Sequence, residues 1–306
     1  MTEGNYMSMN LGIRVRNLIA GSAIFFFASL LQAKSPANEL TNPGGLGIGF
    51  NNTGAAFQDN ISAIQINPAL LVDKRQYIVS GNYHWPASGN EFFQAGVIDS
   101  QTSSVAAAMS YMGYLDDEDS AVKKRINLGI AQAMGPLAAG ISGQFLDAST
   151  SEDKELRSIA LNIGVLATLG HGFKIGGSVE NFANEKIKEF APRTYRVGAS
   201  YALSQKFIAN LDYQNRELLK EEIDAISKRD KEEMVVASLV GYWRNYLKLF
   251  ASYGRELRAP VVHEALSGGA GIENQNFALY YMIALPDMAV KSEKHHAVNL
   301  SFNLKM

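Results

Sequence analysis

The chain has 306 residues, a formal net charge of −2, 47% hydrophobic residues and a mean hydropathy of −0.07. A net charge this close to zero gives no argument for nucleic acid as a partner. Cysteine is absent, so the fold does not rest on disulfides as many small exported domains do.

Residues 1–33 have the features of a secretory signal peptide. Arg14 and Arg16 form a basic start, an apolar run of about 14 residues follows, and Ala33 offers a small side chain for cleavage. The alternative is a transmembrane anchor, which needs roughly 20 apolar residues to cross a bilayer. Because the run is shorter than that, the pattern favours an exported protein.

Residues 34–74 do not alternate as strands do, and they predict a compact plug packed within a barrel mouth. Glycine allows close backbone packing, while an Asn-Pro pair ends a short helix and fixes a turn. We expect the Asn67 side chain to hydrogen-bond to nearby backbone, where the plug joins the first strand. The residues that define this plug motif are Gly45, Gly47, Gly49, Asn67, Pro68 and Ala69.

Residues 75–306 consist of short alternating segments whose links are alternately long and short. This pattern predicts an all-β fold: a membrane-spanning, antiparallel, up-and-down β-barrel of about 14 strands, with tight periplasmic turns, longer outer loops and a small N-terminal plug. A soluble β-sandwich is the alternative. The predicted strands lie near 75–86, 91–99, 102–114, 123–134, 136–147, 156–169, 172–183, 193–203, 206–215, 234–243, 246–254, 264–273, 275–285 and 295–304.

Each predicted strand has one apolar face and one face of small or amidic residues. In the last strand, Val298, Leu300 and Phe302 face away from Asn299 and Ser301. The apolar face suits lipid. The weakly charged polar face predicts a filled or narrow lumen rather than a wide aqueous pore.

Five charged residues fall on the polar strand faces. A charge on the lipid face costs roughly 2–4 kcal/mol at the bilayer midplane, so we expect these side chains to point inward. They predict either a polar conduit with a site for a carboxylate head group, or a structural ladder that pins the plug. The residues are Lys174, Glu180, Arg196, Asp212 and Lys248.

The long link between residues 216 and 233 is charged but carries a helical apolar spacing. Leu219, Ile223 and Ile226 recur at i, i+4 and i+7, which predicts a short amphipathic helix over the outer rim. The helix is a candidate lid or partner-docking element, and a solvated loop is the alternative.

The order of motifs before the barrel resembles the opening of FadL-type outer-membrane channels. The resemblance rests on the glycine-rich stretch 45–50, the stretch 53–57, residues 59–66 and the Asn67-Pro68-Ala69 sequence. It extends to PorV-type barrels, which work with type IX secretion. The resemblance implies a plugged barrel that carries hydrophobic molecules, such as long-chain fatty acids, across the outer membrane.

The predicted function is passive uptake of small hydrophobic molecules such as fatty acids, in the outer membrane of a Gram-negative (diderm) bacterium. The alternative is a non-transporting scaffold or a PorV-like secretion partner. The expected partners are outer-membrane lipid, a hydrophobic small-molecule ligand and the barrel-assembly machinery, and we expect a monomer that binds no nucleic acid.

No catalytic set stands out in the sequence, so we predict neither an enzyme nor a cofactor. His295 and His296 at the start of the final strand are favoured as a solvated loop end, and a metal site is the alternative.

Overall fold

The computed structural model describes residues 53–58, 60–86, 91–115, 122–149, 155–183, 192–217, 231–244, 246–257, 264–285 and 294–304. The predicted signal peptide and the plug glycines Gly45, Gly47 and Gly49 lie outside the described residues. Within these ranges, no helix is long and apolar enough to cross a membrane.

Within the described residues, 14 antiparallel strands form a closed barrel in which β1 pairs with β14. This confirms the predicted fold class, and the predicted strand ends agree with the observed ones to within three residues. The strands are β1 Tyr77–Pro86, β2 Phe92–Asp99, β3 Val105–Tyr114, β4 Val122–Met134, β5 Leu137–Ser149, β6 Glu155–Gly170, β7 Phe173–Glu180, β8 Thr194–Ser204, β9 Phe207–Glu217, β10 Lys231–Trp243, β11 Leu247–Glu256, β12 Glu264–Glu273, β13 Phe277–Leu285 and β14 His295–Asn303.

The outer surface of the barrel is apolar and the inner surface is largely polar. On β6, Ile159 and Val165 are 63% and 60% exposed, whereas Asn162 on the opposite face is buried. A sheet that closes on itself and shows apolar side chains on its outside fits a lipid surrounding. The alternative of a soluble β-sandwich is therefore wrong.

The two ends of the barrel differ in the links they carry. The short-turn end carries the links 100–104, 135–136, 171–172, 205–206, 244–246 and 274–276. The remaining links have five to 13 residues and lie at the opposite, long-loop end. Strand β1 begins at the short-turn end, so the segment that precedes it enters the barrel there. The loop-length pattern of an outer-membrane barrel predicts that the short-turn end faces the periplasm.

Residues 53–58 and 60–72 lie inside the barrel and are almost entirely buried. They contain one short helix, α1 Ala63–Ile66, followed by a 3-10 turn at Pro68–Val72. Asn67 lies between the two, and its backbone N–H bonds to the carbonyl of Ala63. The proline at the first position of the 3-10 turn explains why α1 stops here, since proline disfavours helix at the residue before it.

Candidate functional site in the barrel lumen

The described plug residues are hydrogen-bonded to one side of the barrel wall. The hydroxyl of Ser142 on β5 donates to the carbonyl of Ile64 at 2.7 Å. The N–H of Ala55 donates to the Asp212 carboxylate on β9 at 2.8 Å. Further bonds run from Ser178 to the carbonyl of Ile66 and from Lys174 to Asp73 at the end of the 3-10 turn. These bonds fasten the plug to strands β5, β7 and β9.

Asn67 connects three parts of this assembly. Its side-chain amide donates to the carbonyls of Ala55, at 2.6 Å, and Val165 on β6, at 3.0 Å. Its side-chain oxygen accepts from the N–H of Ala69 at 3.0 Å. The backbone hydrogen bonds expected from the sequence are thus present, and one of them reaches the barrel wall.

Three inward-facing glycines let the plug backbone approach this wall. A Cβ at Gly140 would lie 2.5 Å from the carbonyl carbon of Pro68, and one at Gly164 would collide with the Asn67 side chain. A Cβ at Gly176 would collide with the carbonyl oxygen of Ala55. We call Gly140, Gly164 and Gly176 the glycine seat, because any side chain there would displace the plug.

A buried charged pair extends the same contact. Arg196 on β8 donates to Glu180 on β7 at 2.8 Å, with both side chains at most 4% exposed. Glu180 also accepts from Gln65 of the plug at 3.0 Å and from Gln144 on β5 at 3.4 Å. The second contact of Arg196 is with Gln214 at 3.2 Å. The carboxylate therefore joins plug and wall in one network.

Of the five charged residues predicted to point inward, Glu180 and Arg196 form one ion pair, and the other three have separate partners. Lys248, at the short-turn end, lies 3.4 Å from Glu273 and over the ring of Tyr280. Arg125 on β4 is 1% exposed and also lies in the lumen, which was not predicted from the sequence. Its position after Lys123 and Lys124 is typical of a charged loop end, but alternation from Asn127 would have placed it inward.

A second feature of the lumen is a continuous apolar cluster, which we call the apolar track. It lies mainly on β10, β11, β13 and β14 and reaches β2, β3 and β5 at the long-loop end. Phe250 and Tyr280 lie toward the short-turn end. The members from the wall are Phe92, Met112, Tyr114, Leu146, Val240, Phe250, Tyr280, Met282, Ala284 and Ala297.

Among the described plug residues, Phe57 alone belongs to the apolar track. The other large apolar side chains of the plug, such as Ile61, Ile64 and Leu71, pack in a separate cluster against β1–β6. A turn closed by the N–H of Phe57 on the carbonyl of Gly54, at 3.3 Å, presents the Phe57 ring. The plug therefore turns one aromatic side chain toward the track.

A small cavity lies at the short-turn end, next to Tyr280 of the track. It has a volume of about 60 Å³, and its lining includes Asn60 and Lys74 on the plug side and Glu273 and Phe277 on the wall. This volume holds a few water molecules and is well below the roughly 300 Å³ of a typical small-molecule pocket. This cavity is therefore too small to hold such a ligand.

Two histidines lie in the lumen wall near the long-loop end. His84 Nε2 and His295 Nδ1 are 3.0 Å apart, and the residues are 2% and 8% exposed. The expectation of a solvated loop end is wrong for His295, because strand alternation turns it inward. His296 faces outward and packs against Trp85. The described residues contain no group of three or more potential metal ligands.

The predicted lid residues Leu219, Ile223 and Ile226 lie outside the described residues. The apolar track was not predicted from the sequence. The sequence indicates it on β10, where the pairs Val235-Val236 and Leu239-Val240 place apolar side chains on both faces of the strand.

No protein-family model and no curated protein sequence matches the chain. Among solved structures, the toluene transporter TbuX of Ralstonia pickettii is 12% identical with a TM-score of 0.60, covering 87% of this chain and 98% of its own. The CymD monoaromatic hydrocarbon channel is 11% identical with a TM-score of 0.61, covering 87% and 98%. A Pseudomonas aeruginosa FadL homologue is 10% identical with a TM-score of 0.55, covering 89% and 99%.

The geometry defines a membrane-spanning barrel whose lumen holds a segment from the N-terminal side of the first strand. The chain has the fold of FadL-type outer-membrane barrels.

Proposed function

We propose that the protein is an outer-membrane channel for the passive movement of small hydrophobic molecules. The observation that carries this proposal is the apolar track, which runs inside the lumen between the two ends of the barrel. The described hydrogen bonds of the plug go to β5, β6, β7 and β9. Most of the apolar track lies on other strands, where it is flanked by buried polar residues such as Lys248, Ser252 and Asn299.

The composition of the track fits a hydrophobic passenger. A barrel that transported nothing could fill its interior entirely with paired polar side chains, such as Glu180 and Arg196. The track instead contains Met112 and Met282, whose flexible side chains adapt to ligands of irregular shape. Aromatic residues at both ends add the apolar lining typical of small-molecule sites.

The charged lumen residues serve to hold the plug in this proposal. Arg196 is already paired with Glu180, and Lys248 lies beside Glu273. A carboxylate head group would therefore have to displace an existing partner. This favours uncharged passengers over fatty acids, and the toluene and monoaromatic hydrocarbon channels with the same fold support that choice.

Phe57 gives the proposal a direct test, because it is the plug side chain that fills the track. Replacing Phe57 by Ala should speed the uptake of a hydrophobic fluorescent dye by cells, at matched barrel levels in the outer membrane. The matched control is Leu71→Ala, which removes a buried plug side chain from the other cluster. It should leave uptake near that of the wild type.

Equal increases in both variants would mean general loosening of the plug and would contradict a track past Phe57. Uptake by wild-type cells no faster than by cells without the barrel would contradict a channel altogether. That result is the one expected of a non-transporting scaffold.

A further inference from the structure

The hydrogen-bonding capacity of His84 and His295 is only partly used. One N–H···N bond joins His84 Nε2 to His295 Nδ1 at 3.0 Å, with the ring planes 26° apart. The other ring nitrogens, His84 Nδ1 and His295 Nε2, are buried and have no partner within the described ranges. Whichever ring donates, a neutral pair keeps one free N–H and one free lone pair.

These two nitrogens lie in apolar surroundings at the long-loop end of the apolar track. In the barrel register His84 stands opposite Phe92 on one side and Ala297 on the other, and Ala297 stands opposite Met282. The rings of His84 and Phe92 are 4.4 Å apart. Buried polar atoms in native proteins nearly always have a partner, so two open atoms here indicate a site that something else occupies.

We propose that His84 and His295 form a polar subsite that binds the hydroxyl group of an otherwise apolar aromatic molecule, that is, a phenol. This inference rests on the proposed channel function and names the class of passenger. A hydroxyl both donates and accepts, so it matches either free nitrogen. A plain hydrocarbon would leave both nitrogens unpaired.

The neighbouring side chains suit the aromatic part of such a ligand. Phe92 and Tyr114 provide aromatic faces beside the pair, and their rings lie 5.5 Å apart. Ala297, between His84 and Met282 in the register, is the smallest side chain of this row. The subsite would hold the hydroxyl at the entrance while the ring enters the apolar track.

The test compares 1-naphthol with naphthalene, which differ only in the hydroxyl group, by fluorescence titration of the purified full-length protein in detergent. The wild type should bind 1-naphthol about fivefold more tightly than naphthalene, after correction for detergent partitioning, as one or two extra hydrogen bonds allow. In His295→Phe this preference should disappear while naphthalene binding persists. His84→Gln should keep part of the preference, because its amide still donates and accepts.

His171→Asn is the matched control, since His171 lies in the exposed turn between β6 and β7 at the opposite end. It should keep the full preference. Heat-modifiable migration on gels will establish that each variant is folded. An unchanged preference in both His295→Phe and His84→Gln would overturn the subsite.

Different results would contradict the phenol subsite and the channel function. Equal wild-type binding of the two compounds would overturn the subsite and leave the channel intact, provided that dye uptake through the wild type is observed. Binding of neither compound, together with no dye uptake, would overturn the channel as well.

Discussion

Replacing Glu180 by Ala is expected to be among the most destabilising single changes in the barrel wall. Glu180 accepts hydrogen bonds from Arg196, Gln65 and Gln144, and its side chain is 4% exposed. Removing it leaves the Arg196 charge buried, with its contact to Gln214 retained. Breaking a buried ion pair in this way costs about 3–5 kcal/mol of stability.

Two further variants separate charge from hydrogen bonding. Glu180→Gln keeps an acceptor for its neighbours, so its cost should be clearly smaller, near the 1.5–3 kcal/mol of one hydrogen bond to a charged group. The double variant Glu180→Ala with Arg196→Met removes both charges. It should be more stable than Glu180→Ala alone, because no unpaired charge remains.

Equilibrium urea unfolding in lipid vesicles, followed by the fluorescence of the two tryptophans, measures these differences. A loss below about 1 kcal/mol for Glu180→Ala would refute the reasoning, since that is the range of an exposed pair. A double variant as unstable as the single one would refute it too.

Three other changes test how the plug is held and covered. Asn67→Leu removes hydrogen bonds worth about 1 kcal/mol each, so conductance in planar bilayers should rise; unchanged conductance and an unchanged protease pattern over residues 34–74 would refute a role for the junction. Gly176→Val should displace the plug and increase its cleavage by protease, whereas Gly177→Val, whose nearest neighbours lie at ordinary contact distance, should not; equal cleavage would contradict the glycine seat. If the link between residues 216 and 233 forms a lid, changing Leu219, Ile223 and Ile226 to Ser removes about 1.5–3 kcal/mol of hydrophobic stabilisation per residue. Dye uptake should then become faster. Equal uptake, with equal cleavage of the loop by protease, would mean a solvated loop.

The barrel was predictable from the sequence because lipid and lumen impose opposite chemistry on alternate residues. Val298, Leu300 and Phe302 could face only outward once Asn299 and Ser301 faced inward. Such alternation fixes both the existence of a strand and the direction of each side chain. It does so without any knowledge of which strands are neighbours across the lumen.

The contacts inside the lumen were not predictable in the same way. Alternation places Glu180 and Arg196 inside, but their meeting with Gln65 depends on how the plug folds. The pairing of His84 with His295 depends on closure between β1 and β14, which are more than 200 positions apart in the chain. Periodicity carries no information about such distant contacts.

The apolar track was missed because the alternation rule assumes a polar lumen. On β10, Val236 and Val240 are fully buried inside, while Leu239 is exposed on the outer surface. A strand that is apolar on both faces departs from the membrane-barrel pattern. In this chain that departure marks β10, which contributes Val240 to the apolar track and pairs with β9, a strand bonded to the plug.

The central claim is that hydrophobic molecules pass along the apolar track, and cysteine labelling tests it most directly because the native chain has no cysteine. Single variants Ala297→Cys and Ala278→Cys place a thiol near the long-loop end and near the short-turn end of the track. Ala131→Cys, in the cluster between the plug and β1–β6, is the control.

A small apolar maleimide added to intact cells should label both track positions, and a hydrophobic competitor should slow this labelling. Ala131→Cys should stay unlabelled. Labelling at Ala297→Cys but not at Ala278→Cys, or equal labelling of Ala131→Cys, would contradict the central claim.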